Sequence, residues 1–160
     1  MSDFATTDLS DAAGGLRYVA PTFHDFGGII RFSGQIKTLA TFEDNSKVRE
    51  AVETQGHGQV LVVDGGASMQ CALFGGNLAT LAADNGWAGL VINGCVRDCA
   101  ELKAAKIGIK ALAAHPKKSE KRGLGTYDVR LFFGGVVIHA GDWLYADEDG
   151  IIISATPLSN

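Results

Sequence analysis

Two short apolar runs, each followed by glycine, place the strongest limit on how this chain can fold. Residues 60–63 (VLVV) precede Asp64-Gly65-Gly66, and residues 89–92 (GLVI) precede Asn93-Gly94. A short continuous apolar run that ends in turn residues is typical of a strand buried on both faces. Such strands belong to parallel sheets covered by helices, so the two runs predict an α/β fold.

The remaining segments alternate between helical and extended patterns. Gly34 is interpreted as a bulge in the first strand, and Thr7 or Ser10 as the cap of a short opening helix. The other predicted helices begin at capping residues or glycines and cover 47–52, 69–74, 78–84 and 100–106. The predicted strands cover 29–39, 107–113, 129–133, 136–139 and 151–153, and hairpins are expected in the last third of the chain.

Length and charge limit the classes of protein. A chain of 160 residues predicts one domain over residues 1–160. The formal net charge of -4 argues against direct nucleic-acid binding, since such proteins usually present a basic surface. Only residues 117–122 (KKSEKR) are locally basic, and we interpret them as a solvated loop. No apolar stretch is long enough to span a membrane and no signal peptide is recognisable, which predicts a cytoplasmic protein.

The three cysteines, Cys71, Cys95 and Cys99, form an odd set without a CxxC pair. This pattern supports neither a disulfide framework nor a zinc knuckle, and it predicts reduced, buried thiols. The four histidines lack metal-ligand spacing, and no Ser-His-Asp or Cys-His order supports a hydrolase.

Arg97 and Asp98 lie just beyond the second apolar run. Ligands of an open α/β sheet bind beyond the carboxyl ends of its strands. Arg97 offers a planar fork of N–H donors that suits a carboxylate, and Asp98 offers an oxygen ligand for Mg²⁺ or Mn²⁺. The pair is a candidate site for a metal and a small anionic substrate, although an isolated Arg-Asp dipeptide is also typical of a surface ion pair.

The turn Gly75-Gly76-Asn77-Leu78 is expected to face that pair. It opens a predicted helix, where the N–H groups and the macrodipole favour a bound anion. An ordinary tight turn would have the same glycines, and Asp64-Gly65-Gly66 is a second turn of this kind.

A series of motifs spread in order over nearly the whole chain resembles the RraA-like family. The motifs are Phe42-Glu43-Asp44-Asn45, Val60-Leu61-Val62-Val63-Asp64-Gly65-Gly66, Gly86-Trp87-Ala88-Gly89, Gly94-Cys95-Val96-Arg97-Asp98, Ile107-Gly108, Phe133-Gly134-Gly135-Val136 and Leu144-Tyr145-Ala146-Asp147-Glu148-Asp149-Gly150-Ile151-Ile152. That family includes the regulator of ribonuclease E activity and the 4-hydroxy-4-methyl-2-oxoglutarate aldolases.

The resemblance implies a three-layer β/β/α swivelling domain that assembles as a homotrimer with active sites at subunit boundaries. It implies that Arg97 binds the pyruvyl part of a 2-keto acid substrate, that Asp98 holds the divalent metal, and that the turn 75–78 contacts the substrate. The implied reactions are cleavage of 4-hydroxy-4-methyl-2-oxoglutarate to two pyruvates and decarboxylation of oxaloacetate, both through a pyruvate enolate.

One position departs from the aldolase pattern, which has an acidic residue, then twenty residues, then Arg-Asp. Counting back from Arg97, the acidic position falls on Gly76. The resemblance therefore implies that a water-orienting carboxylate is missing at this position, which bears on the rate and the substrate. The alternative function, with which the acidic net charge is compatible, is a regulator that binds and inhibits ribonuclease E-type machinery without catalysis. Family members known for that binding lack the Asp of the pair, and because Asp98 is present here, the resemblance favours catalysis. Activity on another short 2-keto acid is a third possibility.

Overall fold

The computed structural model describes residues 3–159. Its helices are α1 (Thr6–Ala12), α2 (Ser46–Val52), α3 (Gly76–Asp84) and α4 (Cys99–Ala104). Its strands are β1 (Arg17–Tyr18), β2 (His24–Asp25), β3 (Phe32–Ala40), β4 (Val60–Asp64), β5 (Ala72–Phe74), β6 (Gly89–Val96), β7 (Gly108–Ala114), β8 (Thr126–Tyr127), β9 (Leu131–Phe133), β10 (Val136–Ile138), β11 (Trp143–Asp147) and β12 (Gly150–Ser154). None of the helices within this described range is long and apolar enough to cross a membrane.

The two apolar runs form the centre of the main sheet, as predicted. The sheet follows the order β1-β12-β11-β3-β4-β6-β7-β2, with β5 beside β6 and β8 beside β3. Strands β3, β4, β6 and β7 are parallel neighbours, and one row across them joins Leu39, Val63, Ile92 and Ala111. All four side chains are fully buried, which is why these strands carry continuous apolar runs.

The chain folds into three layers, which confirms the predicted β/β/α arrangement. Helices α2, α3 and α4 cover one face of the parallel strands through residues such as Val48, Ala82 and Leu102. The opposite face, which includes Val62, packs against the β9–β10 hairpin and strands β11 and β12, for example through Ile138. Burial of both faces of the central strands supplies the main hydrophobic stabilisation.

Three local predictions were wrong. Residues 69–74 do not form a helix, because Ala72–Phe74 is the buried strand β5, parallel to the end of β6. Gly34 is not a bulge, since β3 pairs with β11 through it in continuous register. A Cβ at Gly34 would lie 2.2 Å from the carbonyl oxygen of Gly58, so a close approach explains this glycine.

Helix α1 is not capped by Thr7 or Ser10, because it begins at Thr6 with Ala5 as N-cap.

The start of α1 is tied to the far end of the chain instead. The N–H and hydroxyl of Thr6 donate to the Asp147 carboxylate at 2.8 and 2.7 Å. Burial alone would raise the pKa of Asp147, but the bonds from Thr6 and from the N–H of Asp149 lower it. Asp147 therefore orders the turn after β11 and also anchors α1.

Phe32 sets the packing at the junction of the two β layers. Its ring lies over the paired residues Gly89 and Gly108, where a Cβ would come within 2.4 Å and 2.0 Å of ring carbons.

We expect Gly108→Ala to lower the free energy of unfolding by about 1–3 kcal/mol through overpacking. Urea denaturation of Gly108→Ala, Phe32→Leu and the double variant checks this. The double variant should lose less than the sum of the single losses, and strict additivity would contradict the explanation.

Candidate functional site

The candidate site lies where β5 and β6 end side by side. Because these strands are parallel, their carboxyl ends lead into α3 and α4 at the same edge of the sheet. Gly75 and Gly76 follow β5, and Arg97 and Asp98 follow β6. The structure thus brings together the two segments that the sequence nominated, while their roles in binding stay predictions.

The backbone conformation of Asp98 directs its side chain across to α3. Asp98 is left-handed (φ 62°, ψ 49°), a region that Asp tolerates better than most residues, and it is the N-cap of α4. It makes no capping bond to its own helix. Its Oδ2 instead accepts a hydrogen bond from the N–H of Gly76 at 2.9 Å. This bond joins the beginnings of the two helices.

The two glycines of the turn are explained by close approach rather than by backbone conformation. Gly75 is extended (φ -144°), and Gly76 is the first residue of α3. A Cβ on Gly75 would lie 2.7 Å from Oδ2 of Asp98 and 3.3 Å from Cγ of Arg97. A Cβ on Gly76 would lie 1.7 Å from Oε2 of Glu101. Both positions thus leave space for side chains of the segment after β6.

Arg97 is partly exposed and extends beside Gly75. Its Nη1 donates to the carbonyl of Pro116 over 3.4 Å, a weak contact by length. No ion pair holds its guanidinium within the described part of the chain, so most of its donor fork is available to an anionic ligand.

The cleft that contains these residues has a cavity volume of about 120 Å³ and is rich in cations. Arg49, Lys118 and Lys121 line it together with Arg97. Its wall also includes Asn45, whose Oδ1 is buried without a hydrogen-bond partner among residues 3–159. The other lining residues are Ala72, Phe74, Gly75, Gly76, Asn77, Leu78 and Asp98. A chain of net charge -4 has therefore gathered positive charge at one cleft, which favours small anions.

All three lysines of the predicted solvated loop 117–122 are exposed, but Lys118 and Lys121 also form part of the cleft wall. Asp44 anchors this loop. Its fully buried carboxylate accepts hydrogen bonds from the N–H groups of Arg122 (2.8 Å) and Leu124 (3.0 Å). It also accepts bonds from the N–H and hydroxyl of Ser46. Burial would raise the pKa of Asp44, but these bonds, led by the Ser46 hydroxyl, lower it to about 2.

We expect Asp44→Asn to lower the free energy of unfolding by about 1–3 kcal/mol, because the amide cannot accept every bond that the carboxylate accepts. The pKa of Asp44 is lower in the folded chain than its ordinary 3.8, so its stabilisation is complete above that pH and disappears as the pH falls through about 2. Denaturant titrations of both proteins should show the stability difference shrinking between these pH values. A difference that does not depend on pH would contradict this account.

Sequence reasoning missed Asn45, Arg49, Lys118, Lys121 and Glu101. Asn45 and Arg49 are four residues apart at the start of α2, a spacing that places side chains on one helix face. Asp98 and Glu101 have the spacing of a capping box, which also indicates a shared face. No local pattern connects the lysines to the cleft, because the fold alone brings their loop there.

All three cysteines are free, with Cys71 and Cys95 buried as predicted and Cys99 exposed, contrary to prediction.

The donor groups of the cleft fit a hard divalent cation. Within residues 3–159, no group of three or more His, Cys, Asp or Glu could hold a metal ion. Mg²⁺ commonly uses one or two carboxylates and completes its shell with substrate oxygens and water. Asp98, with its Oδ1 unbonded in the described chain, fits a cation held in that way.

Comparison with known proteins identifies the protein family. The family model described as Aldolase/RraA, of the RraA-like type, matches residues 6–153. The chain belongs to the RraA-like family. This confirms the resemblance noted in the motifs and agrees with the three-layer fold.

Similar proteins in this RraA-like group carry different names. A protein of Burkholderia multivorans, provisionally named 4-hydroxy-4-methyl-2-oxoglutarate aldolase, is 56% identical over 98% of this chain and 99% of its own. The structure of the RNA-processing inhibitor RraA from Thermus thermophilis is 49% identical with a TM-score of 0.95, covering 99% of this chain and 96% of that chain. A Geobacillus kaustophilus structure named S-adenosylmethionine: 2-dimethylmenaquinone methyltransferase is 45% identical with the same TM-score, covering 98% and 99%. The names alone do not decide the activity, so the chemistry of the cleft must.

Proposed function

We propose that this chain is a divalent-metal-dependent lyase that cleaves 4-hydroxy-4-methyl-2-oxoglutarate into two molecules of pyruvate. The observation that carries the proposal is the joint placement of Arg97 and Asp98 in one cation-lined cleft at the beginnings of two helices. The name of the Burkholderia multivorans relative supports the same substrate.

The reaction requires stabilisation of a developing enolate. Loss of the proton from the C4 hydroxyl forms the carbonyl of one pyruvate, and the C3–C4 bond breaks. Its electron pair passes to C3 and to the C2 oxygen of the other fragment, a pyruvate enolate, which is then protonated at C3. Decarboxylation of oxaloacetate breaks the equivalent bond, releases CO₂ and passes through the same enolate. One site therefore supports the second reaction, which we propose as a secondary activity.

Different residues of the cleft bind different parts of the substrate. Arg97 grips the keto-acid end through its guanidinium fork. The N–H groups of Asn77 and Leu78 lie in the first turn of α3, where they lack carbonyl partners within the helix and favour negative charge. The positively charged side chains of Arg49 and Lys121 neutralise the charge of the second carboxylate of the substrate. A dicarboxylic 2-keto acid thus suits this cleft better than a neutral sugar or ketone.

Asp98 is the residue that would hold Mg²⁺ or Mn²⁺ next to Arg97. When bound there, such a cation polarises the keto oxygen and stabilises charge on it as the enolate forms. The hydrogen bond from Gly76 fixes the carboxylate in place, so ligand binding does not have to order this side chain.

We expect Arg97→Ala to reduce kcat/KM for 4-hydroxy-4-methyl-2-oxoglutarate about 10²-fold, through loss of a charge-assisted contact worth roughly 3 kcal/mol. Asp98→Asn should remove the dependence of pyruvate release on added Mg²⁺. Coupled pyruvate assays with both keto acids measure these effects, and the exposed Arg130→Ala variant is the matched control. Wild-type protein without metal-dependent pyruvate release from either substrate would refute the lyase.

The alternative function is inhibition of a ribonuclease without catalysis. It is favoured by the name of the Thermus thermophilis neighbour and by the acidic net charge, which suits a basic protein partner. An inhibitor acting through its outer surface should retain inhibition after Arg97→Ala, whereas the lyase should not retain its activity. Parallel inhibition and pyruvate assays on this one variant separate the two functions.

We also propose that the chain works as a homotrimer whose sites lie at subunit boundaries. Phe42 and Leu124 are 59% and 55% exposed, and the hydroxyl of Thr41 lies 3.3 Å from the carbonyl of Leu124. Large exposed apolar side chains near the cleft-forming loop are typical of a covered surface.

Light scattering should give a mass three times the 16.8 kDa of one chain. Phe42→Asp should shift the protein toward smaller species, because a carboxylate would be buried in the interface. The exposed Asp128→Asn variant is the control and should keep the mass of the wild type. A wild-type mass of one chain would contradict the trimer.

A further inference from the structure

Gly76 makes room for a carboxylate that the sequence did not nominate. As the first residue of α3, it has no positive φ that requires glycine. A Cβ at this position would lie 1.7 Å from Oε2, 2.7 Å from Cδ and 2.9 Å from Cβ of Glu101. Any other residue at position 76 would displace the Glu101 side chain. Glu101 can therefore lie where it does only because residue 76 has no side chain.

Glu101 and Asp98 approach the same backbone residue. Oδ2 of Asp98 accepts the Gly76 N–H at 2.9 Å, and Oε2 of Glu101 lies 1.7 Å from the position that a Cβ of residue 76 would take. Standard backbone dimensions then put the two carboxylate oxygens within about 7 Å of each other. A cation with one of its bound waters spans about this separation, because two metal–oxygen bonds of about 2.1 Å and one hydrogen bond of about 2.8 Å add up to it.

The Glu101 carboxylate is free to take part in such a contact. It is exposed and is not held by a hydrogen bond or an ion pair to another residue of the described range 3–159. It stands three residues after the N-cap of α4, yet it does not form the reciprocal bond of a capping box. Helix capping therefore does not explain why it lies against Gly76.

We propose that Glu101 is the second carboxylate of the site and acts as a positioning residue. It hydrogen-bonds a water molecule beside the cation that Asp98 would hold. In the cleavage, this water takes the proton from the C4 hydroxyl and passes it to Glu101, while the C3–C4 bond breaks. The proton then returns through the water to C3 of the enolate, so no net proton is gained or lost. This role rests on the proposed lyase function.

Four variants test the proposal. Glu101→Gln removes the charge but keeps the size of the side chain, and Gly76→Ala pushes the intact carboxylate aside. Gly76→Asp combined with Glu101→Ala moves the carboxylate to the first turn of α3. Asp84→Asn is the matched control, because it removes an exposed carboxylate at the other end of α3, about 12 Å along the helix.

Glu101→Gln and Gly76→Ala should each lower kcat about 10²-fold, the size expected for a group that assists proton transfer. KM for the keto acid should change less than about threefold, because in the proposed site substrate binding depends on Arg97, Arg49 and Lys121. Independently of turnover, Glu101→Gln should weaken Mn²⁺ binding, measured by calorimetry, about tenfold. The relocated carboxylate should recover at least about tenfold of the lost kcat, and Asp84→Asn should match the wild type.

Urea denaturation of each variant separates a positioning role from a structural one, because Glu101→Gln should unfold at the same urea concentration as the wild type. If the wild type releases pyruvate and Glu101→Gln keeps kcat and Mn²⁺ affinity within about twofold, the role of Glu101 is overturned while the lyase stands. If the wild type releases no pyruvate, the lyase fails, and the Mn²⁺ titration still decides the placement of the carboxylate. Equal Mn²⁺ affinity, or no Mn²⁺ binding by the wild type, then overturns it.

Discussion

The hydrogen bond from the Gly76 N–H to the Asp98 carboxylate is the contact on which the site depends. It joins two helices that begin at the ends of neighbouring parallel strands, and it forms because Asp98 adopts a left-handed backbone and turns away from its own helix. The approach is close enough that neither Gly75 nor Gly76 has space for a side chain. The two glycines at the start of α3 therefore leave the space in which the carboxylates of Asp98 and Glu101 lie.

Around that contact the cleft combines opposite charges for two purposes. Arg97, Arg49 and two lysines of the loop 117–122 line it with positive charge, which in the proposed lyase would attract an anionic keto acid, while Asp98 would hold the cation. Asp44 ties the end of this loop to the start of α2 by accepting the backbone N–H groups of Arg122 and Leu124, so the position of the lysines depends on a buried carboxylate outside the cleft wall. One buried side chain thus contributes to stability and also sets the position of a loop that lines the cleft.

Pattern reasoning succeeded where burial alone dictates structure and failed where pairing decides. The runs at 60–63 and 89–92 must be buried strands, because such apolar sequences cannot face water. Ala72–Phe74 is also apolar, but a run this short fits a helix or a strand, and only its pairing with β6 selects the strand. Gly34 was interpreted as a bulge. The structure explains this glycine by its close approach to the carbonyl oxygen of Gly58, a residue that is distant in the chain.

The sequence by itself determined the α/β class, the buried central strands and the two segments that meet at the site, since these follow from periodicity and from chain order in a parallel sheet. Only the tertiary structure decided that Lys118 and Lys121 line the cleft and that Glu101 fills the space beside Gly76. The physical reason is that hydrophobic burial is encoded locally along the chain. The close approach of charged groups depends on distances between elements that no local pattern contains.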